Sequence, residues 1–522
     1  MRRLHPLLVL ALSACARAPG VSSPTPMEAP RGEIGAAELR RDLFAFAADS
    51  MRGRETGTED AARAAQFLTD RIQQLGLEPA GDSLYLQRIP LQRERFTATS
   101  RMVVTDGGRT VALSIGRDLI PLVNLGPGVP PARRVADGPL VFAGYGTTLA
   151  TPRRDDFAGL DLEDKVVVVV NGAPPGVDSA TRANLESEST ISERLARILP
   201  ARPAAVIVLF TEGKRQFFDQ LSSELSRTIT RQSISDDVPD SERPLPMIML
   251  GVVRAGSPLL PVRWPVDDRA QVLEGRRFAA RVFQQRVPVS GFNVVGVVRG
   301  SDPVLSRTFV ALGAHYDHLG IVTPVHDDSI ANGADDDGSG TVALLAIARN
   351  LQSAAVKPRR SVLFVWHVGE EKGLLGSAWF VDHPTVPIDS IVAQLNADMI
   401  GRNARTLLYV VGPRAAPNGQ SKRLGAIVDS VNAAEREPFA INREWDSATH
   451  PEHIYERSDH YNYARKGIPI AFFTTGLHAD YHKPSDEADK IDYEKLARVA
   501  RLIRDVTVVL GNSSSRPGTI GQ

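Results

Sequence analysis

Apolar residues along the chain follow different periods in successive segments, and these periods predict the elements. Between residues 36 and 75 they recur at helical spacing in two pieces, which a turn-rich break at 50–57 separates. Short strands follow to about residue 123. A Pro/Gly-rich stretch at 126–134 then precedes short apolar strands between polar loops, with one helical stretch near 186–199. We interpret residues 135–285 as an inserted small domain, β-rich or α+β.

Strands and helices alternate regularly from residue 291 to residue 510. The predicted strands cover residues 292–298, 308–313, 361–368, 392–397, 407–411 and 468–474, and the predicted helices cover 340–352, 377–382, 421–434 and 493–510. Nearly continuous apolar strands that alternate with helices are typical of an α/β fold with a mixed, mostly parallel sheet covered by helices on both faces. In such sheets, ligands bind beyond the carboxyl ends of the strands.

The composition narrows the classes of function. The chain has 522 residues, 43% of them hydrophobic, and 61 basic residues balance 61 acidic ones, so its net charge is zero. The apolar fraction is too high for a disordered chain, and the charge balance argues against a nucleic-acid partner, which requires a basic surface. Cys15 is the sole cysteine. No intrachain disulfide or thiolate metal site can form, so any metal must be held by His, Asp and Glu.

The first fifteen residues predict an export signal. Arg2 and Arg3 precede an apolar stretch that is shorter than the roughly 20 residues of a membrane-spanning helix, which is the pattern of a secretory signal peptide. The stretch ends in LSAC at residues 12–15, which resembles the bacterial lipobox. That resemblance implies lipidation of Cys15 and attachment to the cell envelope, in the outer membrane or periplasm, with residues 16–35 as a flexible tether. An ordinary signal peptide is the alternative.

Ionisable residues gather directly after the predicted strands. The groups are His315-Tyr316-Asp317-His318, Asp335-Asp336-Asp337, Glu370-Glu371, Asp398 and Tyr481-His482. Because the carboxyl ends of parallel strands meet at one edge of a sheet, we expect these groups to share one rim. A single Asp before a helix is usually an N-cap, but repetition at successive strand ends favours a metal centre.

Carboxylates and imidazoles without sulfur fit Zn²⁺ best, with Co²⁺ or Mn²⁺ as possible substitutes. Three carboxylates and two neutral imidazoles carry a charge of −3, so two divalent cations would leave +1. That excess lowers the pKa of a bound water and makes hydroxide available near neutral pH. The adjacent acids Glu370 and Glu371 allow one carboxylate to bind metal while the other stays free as a general base.

Five motifs together resemble those of family M28 zinc peptidases. They are HYD at 315–317, GADDDGSG at 333–340, GEEKGL at 369–374, NADMIG at 396–401 and YHKP at 481–484. The resemblance covers roughly residues 39–510 apart from the insert and implies the zinc exopeptidase-like fold. The insert, with GYG at 144–146 and GLDLEDK at 159–165 before a Val run, resembles a protease-associated domain. Catalytic segments are then expected at 36–134 and 286–512, and a disordered tail at 513–522.

The resemblance also implies roles for individual residues. Asp336 is taken from its triplet as the ligand that bridges two zinc ions, because the family's bridging Asp lies four residues before the last Gly of the motif. Asp335 and Asp337 are second choices. His315 and Asp398 are implied as ligands of one zinc ion, and Glu371 and His482 as ligands of the other. Glu370 is implied as the general base and Tyr481 as a possible oxyanion donor. Asp317 is implied as the residue that orients His315 through a hydrogen bond.

The implied activity is that of an exopeptidase, most often an aminopeptidase, which hydrolyses N-terminal residues from peptides through a metal-bridged water. A carboxypeptidase or dipeptidase, a glutaminyl-peptide cyclotransferase and a receptor-like or scaffold relative are alternatives. The intact HYD motif counts against the cyclotransferase, which uses one zinc, and the filled ligand positions count against the scaffold. Five further histidines could be read as additional ligands and are left unassigned, namely His318, His326, His367, His453 and His460. The sequence leaves the preferred terminal residue, the role of the insert and the oligomeric state open.

Overall fold

The computed structural model describes residues 33–122, 133–187, 190–226, 229–232, 245–412, 422–447, 450 and 452–518. The predicted signal peptide, Cys15 and most of the predicted tether lie outside these residues. The two large sheets formed by the described residues belong to one compact unit that begins at Ile34. Among the described residues, no helix combines the length and the apolar character needed to cross a membrane.

Ten α-helices and 22 strands are found in the described part of the chain. The helices are α1 (Ala36–Phe46), α2 (Glu59–Gln74), α3 (Ser179–Leu185), α4 (Thr190–Ile198), α5 (Arg215–Ser226), α6 (Gly340–Ser353), α7 (Leu375–Asp382), α8 (Lys422–Ala434), α9 (His460–Arg465) and α10 (Tyr493–Asn512). The strands are β1 (Glu78–Pro79), β2 (Leu86–Phe96), β3 (Arg101–Asp106), β4 (Arg109–Leu113), β5 (Leu119–Leu122), β6 (Val135–Phe142), β7 (Thr148–Leu149), β8 (Arg154–Asp155), β9 (Val166–Asn171), β10 (Ala205–Phe210), β11 (Ile229–Gln232), β12 (Met247–Val252), β13 (Gln271–Arg281), β14 (Gln284–Val298), β15 (Phe309–His315), β16 (Gly320–Val325), β17 (Asp328–Ala331), β18 (Ser361–His367), β19 (Ile391–Ala397), β20 (Leu407–Val411), β21 (Ala440–Asn442) and β22 (Ile470–Thr474).

The larger sheet has the strand order β11-β2-β14-β18-β15-β19-β22-β20-β21, with β1 paired to β14. Its four central strands, β18, β15, β19 and β22, are parallel. The ladders of β14 with β18 and of β20 with β22 are antiparallel. The predicted mixed α/β sheet is confirmed, and its parallel part is the centre, where the site lies.

Helices cover both faces of this sheet, as predicted. Every residue of β15, β18 and β19 is buried, which explains why these strands are continuous apolar runs. Helices α1, α2, α6, α8 and α10 contribute to the core on one face, and α7 and α9 contribute to the core on the other. The four predicted helices of this part begin and end within two residues of their predicted bounds, whereas α9 was not predicted.

A second sheet has the order β4-β3-β13-β6-β9-β10-β12-β5 and its own core. Most of it comes from the predicted insert at 135–285. However, β3, β4 and β5, which were assigned to the catalytic segment 36–134, also belong to it. They join it through non-local pairing, β3 with β13 and β5 with β12. The insert therefore begins near residue 101 as judged by strand pairing, and the Pro/Gly-rich stretch taken as its boundary lies between two strands of one sheet.

Candidate metal centre

Four neighbouring parallel strands carry the predicted residues to one rim. β15 ends at His315, β18 ends three residues before Glu370, β19 ends one residue before Asp398, and β22 leads into the loop that contains His482. Asp336 reaches the same rim from the turn before α6. The parallel arrangement thus brings together groups that are far apart in sequence.

The carboxylate of Asp336 lies between two imidazoles. Its Oδ1 is 3.2 Å from His315 Nε2, and its Oδ2 is 3.3 Å from His482 Nε2. His315 Nε2 is also 3.7 Å from Asp398 Oδ1, and His482 Nε2 is 3.1 Å from Glu371 Oε2. Two atoms bound tetrahedrally to one zinc at about 2.05 Å lie about 3.3 Å apart. The distances therefore fit two cation positions that share Asp336.

His315 supplies an independent sign that a ligand belongs here. It is 1% exposed, and its Nε2 forms no hydrogen bond with any described residue. A buried polar atom without a partner costs free energy unless a ligand satisfies it. Nitrogen and oxygen donors without sulfur form the kind of set that zinc accepts.

The carboxylates of the rim create a negative field. Burial alone disfavours the imidazolium, yet Glu370 and Asp398 raise the pKa of His315 well above its usual value. Glu371 likewise outweighs burial and raises the pKa of His482. A site that holds protons this strongly favours positive charge, and in a loaded centre metal cations supply that charge.

The neighbours of Asp336 in its triplet use their carboxylates to shape the turn. Asp337 accepts the first N–H of α6 at 2.9 Å and the N–H of His315 at 3.2 Å. Asp335 accepts the N–H of Gly401 at 2.7 Å. Asp337 lies close enough to His315 and Asp398 to share a cation with them. Its oxygens are nevertheless already engaged by the main chain, whereas those of Asp336 face the imidazoles.

Asp317 contacts His315 through its main chain and the Glu370 loop through its side chain. His315 Nδ1 lies 3.1 Å from the main-chain carbonyl of Asp317, whereas the carboxylate is 3.9 Å away. That carboxylate instead accepts the N–H of Glu370 at 3.2 Å and the hydroxyl of Thr56 at 2.5 Å. The side chain of Asp317 is directed at the loop after β18, so its carbonyl orients the histidine and its carboxylate holds Glu370 in place.

Glu370 differs from its neighbour Glu371 in its proton affinity. Burial raises the pKa of Glu370 well above its usual value, and the carboxylates of Glu371 and Asp398 add to the effect. For Glu371, burial is outweighed by His482, and its pKa is lowered. One carboxyl of the pair is therefore suited to carry a proton, and the other is suited to bind a cation.

A largely apolar pocket opens beside the rim. Its lining consists of Asp336, Glu370, Asp398, Met399, Trp445, Ile454, Arg457, Ser458, Phe472, Thr474, Leu477 and Tyr481. The hydroxyl of Tyr481 accepts a hydrogen bond from Arg457 at 3.2 Å, and its ring stacks on His482 with centroids 3.8 Å apart. Burial, reinforced by nearby carboxylates, raises the pKa of Tyr481, so the hydroxyl keeps its proton.

Sequence reasoning missed Arg54, which lies in the segment interpreted only as a break between helices. Arg54 is fully buried and donates to the carbonyls of Tyr316, Asn332 and Gly333 at 2.8, 2.7 and 2.9 Å. These carbonyls belong to the two loops that carry His315 and Asp336. A charged residue among turn residues gives no local signal for such a contact.

Two further supports lie behind the rim. Asp486 accepts the N–H groups of Asp335 and Asp336, so it holds the turn of the triplet. Ser458 donates to Asp398 Oδ2 at 2.8 Å.

The histidines left unassigned fall into two groups. His367 and His460 are fully buried; His367 contacts the Tyr463 hydroxyl at 3.2 Å and His460 donates to the Tyr455 carbonyl at 2.9 Å. Burial lowers the pKa of both to about 3. His326 and His453 are exposed. His318 is different, because it lies at the rim.

The fold and the site together indicate a metal-binding function. A rim of imidazoles and carboxylates at the carboxyl ends of parallel strands, with one carboxylate between two imidazoles, offers the donor atoms that divalent cations bind.

Comparisons with known proteins find similarity to peptidases. Residues 293–507 of the chain match the model of peptidase family M28. A probable leucine aminopeptidase of Trichophyton verrucosum is 31% identical over 214 residues, which are 40% of this chain and 55% of the relative. Leucine aminopeptidase 1 of Coccidioides posadasii is 33% identical over 252 residues, which are 45% and 60% of the two chains. The chain thus spans little more than half the length of these curated relatives.

Two solved structures share the fold over nearly the whole chain. An aminopeptidase from Aneurinibacillus sp. strain AM-1 has a TM-score of 0.57 at 18% identity, covering 94% of this chain and 96% of its own. BSAP, a zinc aminopeptidase from Bacillus subtilis, has a TM-score of 0.54 at 18% identity, covering 93% and 98%. At this identity the likeness concerns the fold alone.

Proposed function

We propose that the protein is an aminopeptidase that binds two zinc ions and removes N-terminal residues from peptides. The observation that carries the proposal is the position of Asp336, whose two oxygens each face a different imidazole at 3.2 and 3.3 Å. One ion would be held by His315 and Asp398 and the other by Glu371 and His482. The names of the curated relatives and of the bacterial structures support the same activity.

The bound ions would polarise the substrate carbonyl and lower the pKa of a water between them. The protein's own contribution begins with Glu370, which lines the pocket and whose raised pKa suits it to take a proton and pass it to the leaving amine. Asp317 fixes the main chain of Glu370. Tyr481 presents a protonated hydroxyl at the pocket, where it would stabilise the negative charge that develops on the carbonyl oxygen.

The pocket supports action at the N-terminal residue. Met399, Trp445, Ile454, Phe472 and Leu477 offer apolar surface for a side chain next to the rim. The pocket thus suits peptides with an apolar first residue.

A carboxypeptidase is the second candidate, and Arg457 is the observation that favours it. Its guanidinium lines the same pocket and could pair with a terminal carboxylate. In the structure this guanidinium donates to Tyr481 and lies 3.7 Å from Glu452, so it is already engaged. This engagement favours the aminopeptidase.

We also propose that the protein is exported and lipid-anchored through Cys15, on the strength of the LSAC segment. Expression of the full-length wild type and of Cys15→Ser, followed by membrane fractionation and mass spectrometry of the N-terminus, tests this. Recovery of both proteins in the soluble fraction without a lipid mass would contradict it. The fold of residues 101–281 as a protease-associated-like insert is likewise a proposal, supported by the separate sheet.

The test of the activity compares Glu370→Gln with Glu274→Gln, an exposed control on the second sheet. Glu370→Gln should bind two zinc ions per chain and lose at least about 10²–10⁴-fold in kcat, because the proton carrier is removed. Glu274→Gln should match the wild type. Near-normal turnover by Glu370→Gln would show that another group is the base.

Substrate class is tested with aminoacyl-nitroanilides, dipeptides and N-blocked peptides, each assayed with and without a chelator. Free-amine substrates should be cleaved and chelation should stop the cleavage. Cleavage of blocked peptides alone would establish the carboxypeptidase instead. A wild-type chain without stoichiometric zinc and without turnover would support the scaffold.

A further inference from the structure

His318 lies at the rim with no role in the ligand set described above. It is fully buried, and its ring meets that of His482 edge to face with centroids 5.8 Å apart. Its main-chain N–H donates to the carbonyl of Arg54 at 3.4 Å. A Cβ at Gly333 would stand 2.5 Å from the His318 ring, and Gly333 has a φ of +55°, so this glycine makes the space that the ring occupies.

The contact between His318 and Glu371 is of a different kind from the contacts within the ligand set. His318 Nδ1 lies 2.6 Å from Glu371 Oε1. The pairs assigned to a common ion are separated by 3.1–3.7 Å. Two ligands of one zinc about 2.05 Å from it could approach to 2.6 Å only at an angle of about 80°, far below the tetrahedral value. A separation of 2.6 Å is the length of a hydrogen bond to a carboxylate.

His318 Nδ1 also lies 3.9 Å from Asp336 Oδ2, and His318, Asp336 and Glu371 are close enough to share a cation. At 3.9 Å the contact with Asp336 is too long for a hydrogen bond. Among the described residues, no contact of His318 Nδ1 or Glu371 Oε1 has both the distance and the angle of a hydrogen bond. The pair meets the distance of a hydrogen bond but not its angle, so a rotation of the ring is needed to align the N–H with the oxygen. The other oxygen of Glu371, Oε2, faces His482.

We propose that His318 is a positioning residue for the metal centre, donating Nδ1–H to Glu371 Oε1 and so directing Oε2 toward the second cation. The assignment rests on the proposed function, since it presupposes a metal between Glu371 and His482. A carboxylate with one oxygen held in this way binds metal through the other, which fixes its orientation and reduces the entropy lost on binding.

The experiment compares His318→Asn with His318→Leu in the full chain. The two side chains have nearly the same shape, and the amide of Asn offers an N–H at the position of Nδ1, whereas Leu offers none. Zinc affinity is measured by competition with a chromophoric chelator, and stoichiometry is measured at saturating zinc. The exposed His326, changed to Leu, is the control.

His318→Leu should bind one of its two zinc ions 10–100-fold more weakly than the wild type, and His318→Asn should stay within about threefold of it. Both should still bind two ions at saturation. Equal affinities in all proteins would overturn the proposal. A fall to one ion at saturation in both variants would overturn it too, because it would make His318 a ligand.

A measurement on the wild type covers the case in which His318→Leu does not fold. The ¹⁵N spectrum of histidine-labelled, zinc-loaded protein should show a protonated Nδ1 for the ring whose signals vanish in His318→Asn. A metal-bound Nδ1 would refute the assignment. None of these readouts uses turnover, so a failure of the proposed activity is recognised separately by inactive wild-type enzyme.

Discussion

Replacing Arg54 by lysine tests whether this buried guanidinium holds the metal centre together. Arg54 donates to three carbonyls at 2.7–2.9 Å and to a fourth, that of Phe46, at 3.3 Å. The planar guanidinium reaches these acceptors in different directions at once. A lysine ammonium is a single point at the end of a flexible chain, so it leaves at least two of the carbonyls unpaired.

The expected loss follows from those contacts. A buried carbonyl without its partner costs about 1–3 kcal/mol, so two of them destabilise the protein by about 2–6 kcal/mol. This is a large part of the roughly 5–15 kcal/mol by which a folded protein is stable. Burial lowers the pKa of Arg54 to about 10, even though Asp317 and Asp486 oppose the shift, so the group remains charged at neutral pH.

The assay is urea unfolding of zinc-free protein at pH 7.5, followed by zinc titration of the folded state. Arg52→Lys is the matched control. The Arg52 side chain is 54% exposed, and within the described part of the chain its ion pair is with Asp60 at 3.5 Å. It should change the unfolding free energy by no more than about 0.5 kcal/mol. If Arg54→Lys loses less than about 1 kcal/mol and binds zinc as the wild type does, the carbonyl contacts do not stabilise the rim.

Two more predictions concern the pocket and the core. Tyr481→Phe should lower kcat by about 10²–10³-fold with little change in KM, because the hydroxyl acts on charge that develops in the transition state. Steady-state kinetics measure both constants, and a decrease of kcat by less than threefold would exclude Tyr481 from that role. Burial lowers the pKa of His460 to about 3, so this histidine is neutral in the folded protein at neutral pH. Its contribution to stability is therefore complete above the unfolded pKa of about 6.5 and is lost as the pH falls toward 3. His460→Gln keeps an N–H for the Tyr455 carbonyl but does not titrate. From pH 7.5 to pH 5 the wild type should lose about 2 kcal/mol more of its unfolding free energy than this variant. Equal pH dependence of the two proteins in chemical unfolding would contradict this.

The site could be predicted to the extent that its residues follow buried strands. His315, Glu370 and Asp398 each come at or just after a run of apolar residues that local sequence identifies as a strand. The parallel order of these strands then brings them to one rim. The direction of a carboxylate has no such local signal, so the sequence could not show that Asp317 contacts His315 through its carbonyl and Glu370 through its carboxylate.

Local sequence by itself determined most of the strands and helices after residue 291, though not β16, β17, β21 and α9, and the kinds of atom available to a metal. Continuous apolar runs and helical spacing are properties of neighbouring residues, and a single cysteine excludes thiolate ligands whatever the fold. Only the tertiary structure decided that Arg54 supports a loop 262 residues away, that β3 to β5 join the second sheet, and that His318 contacts Glu371. These facts depend on contacts between segments distant in sequence, and no pattern within a window of a few turns contains them.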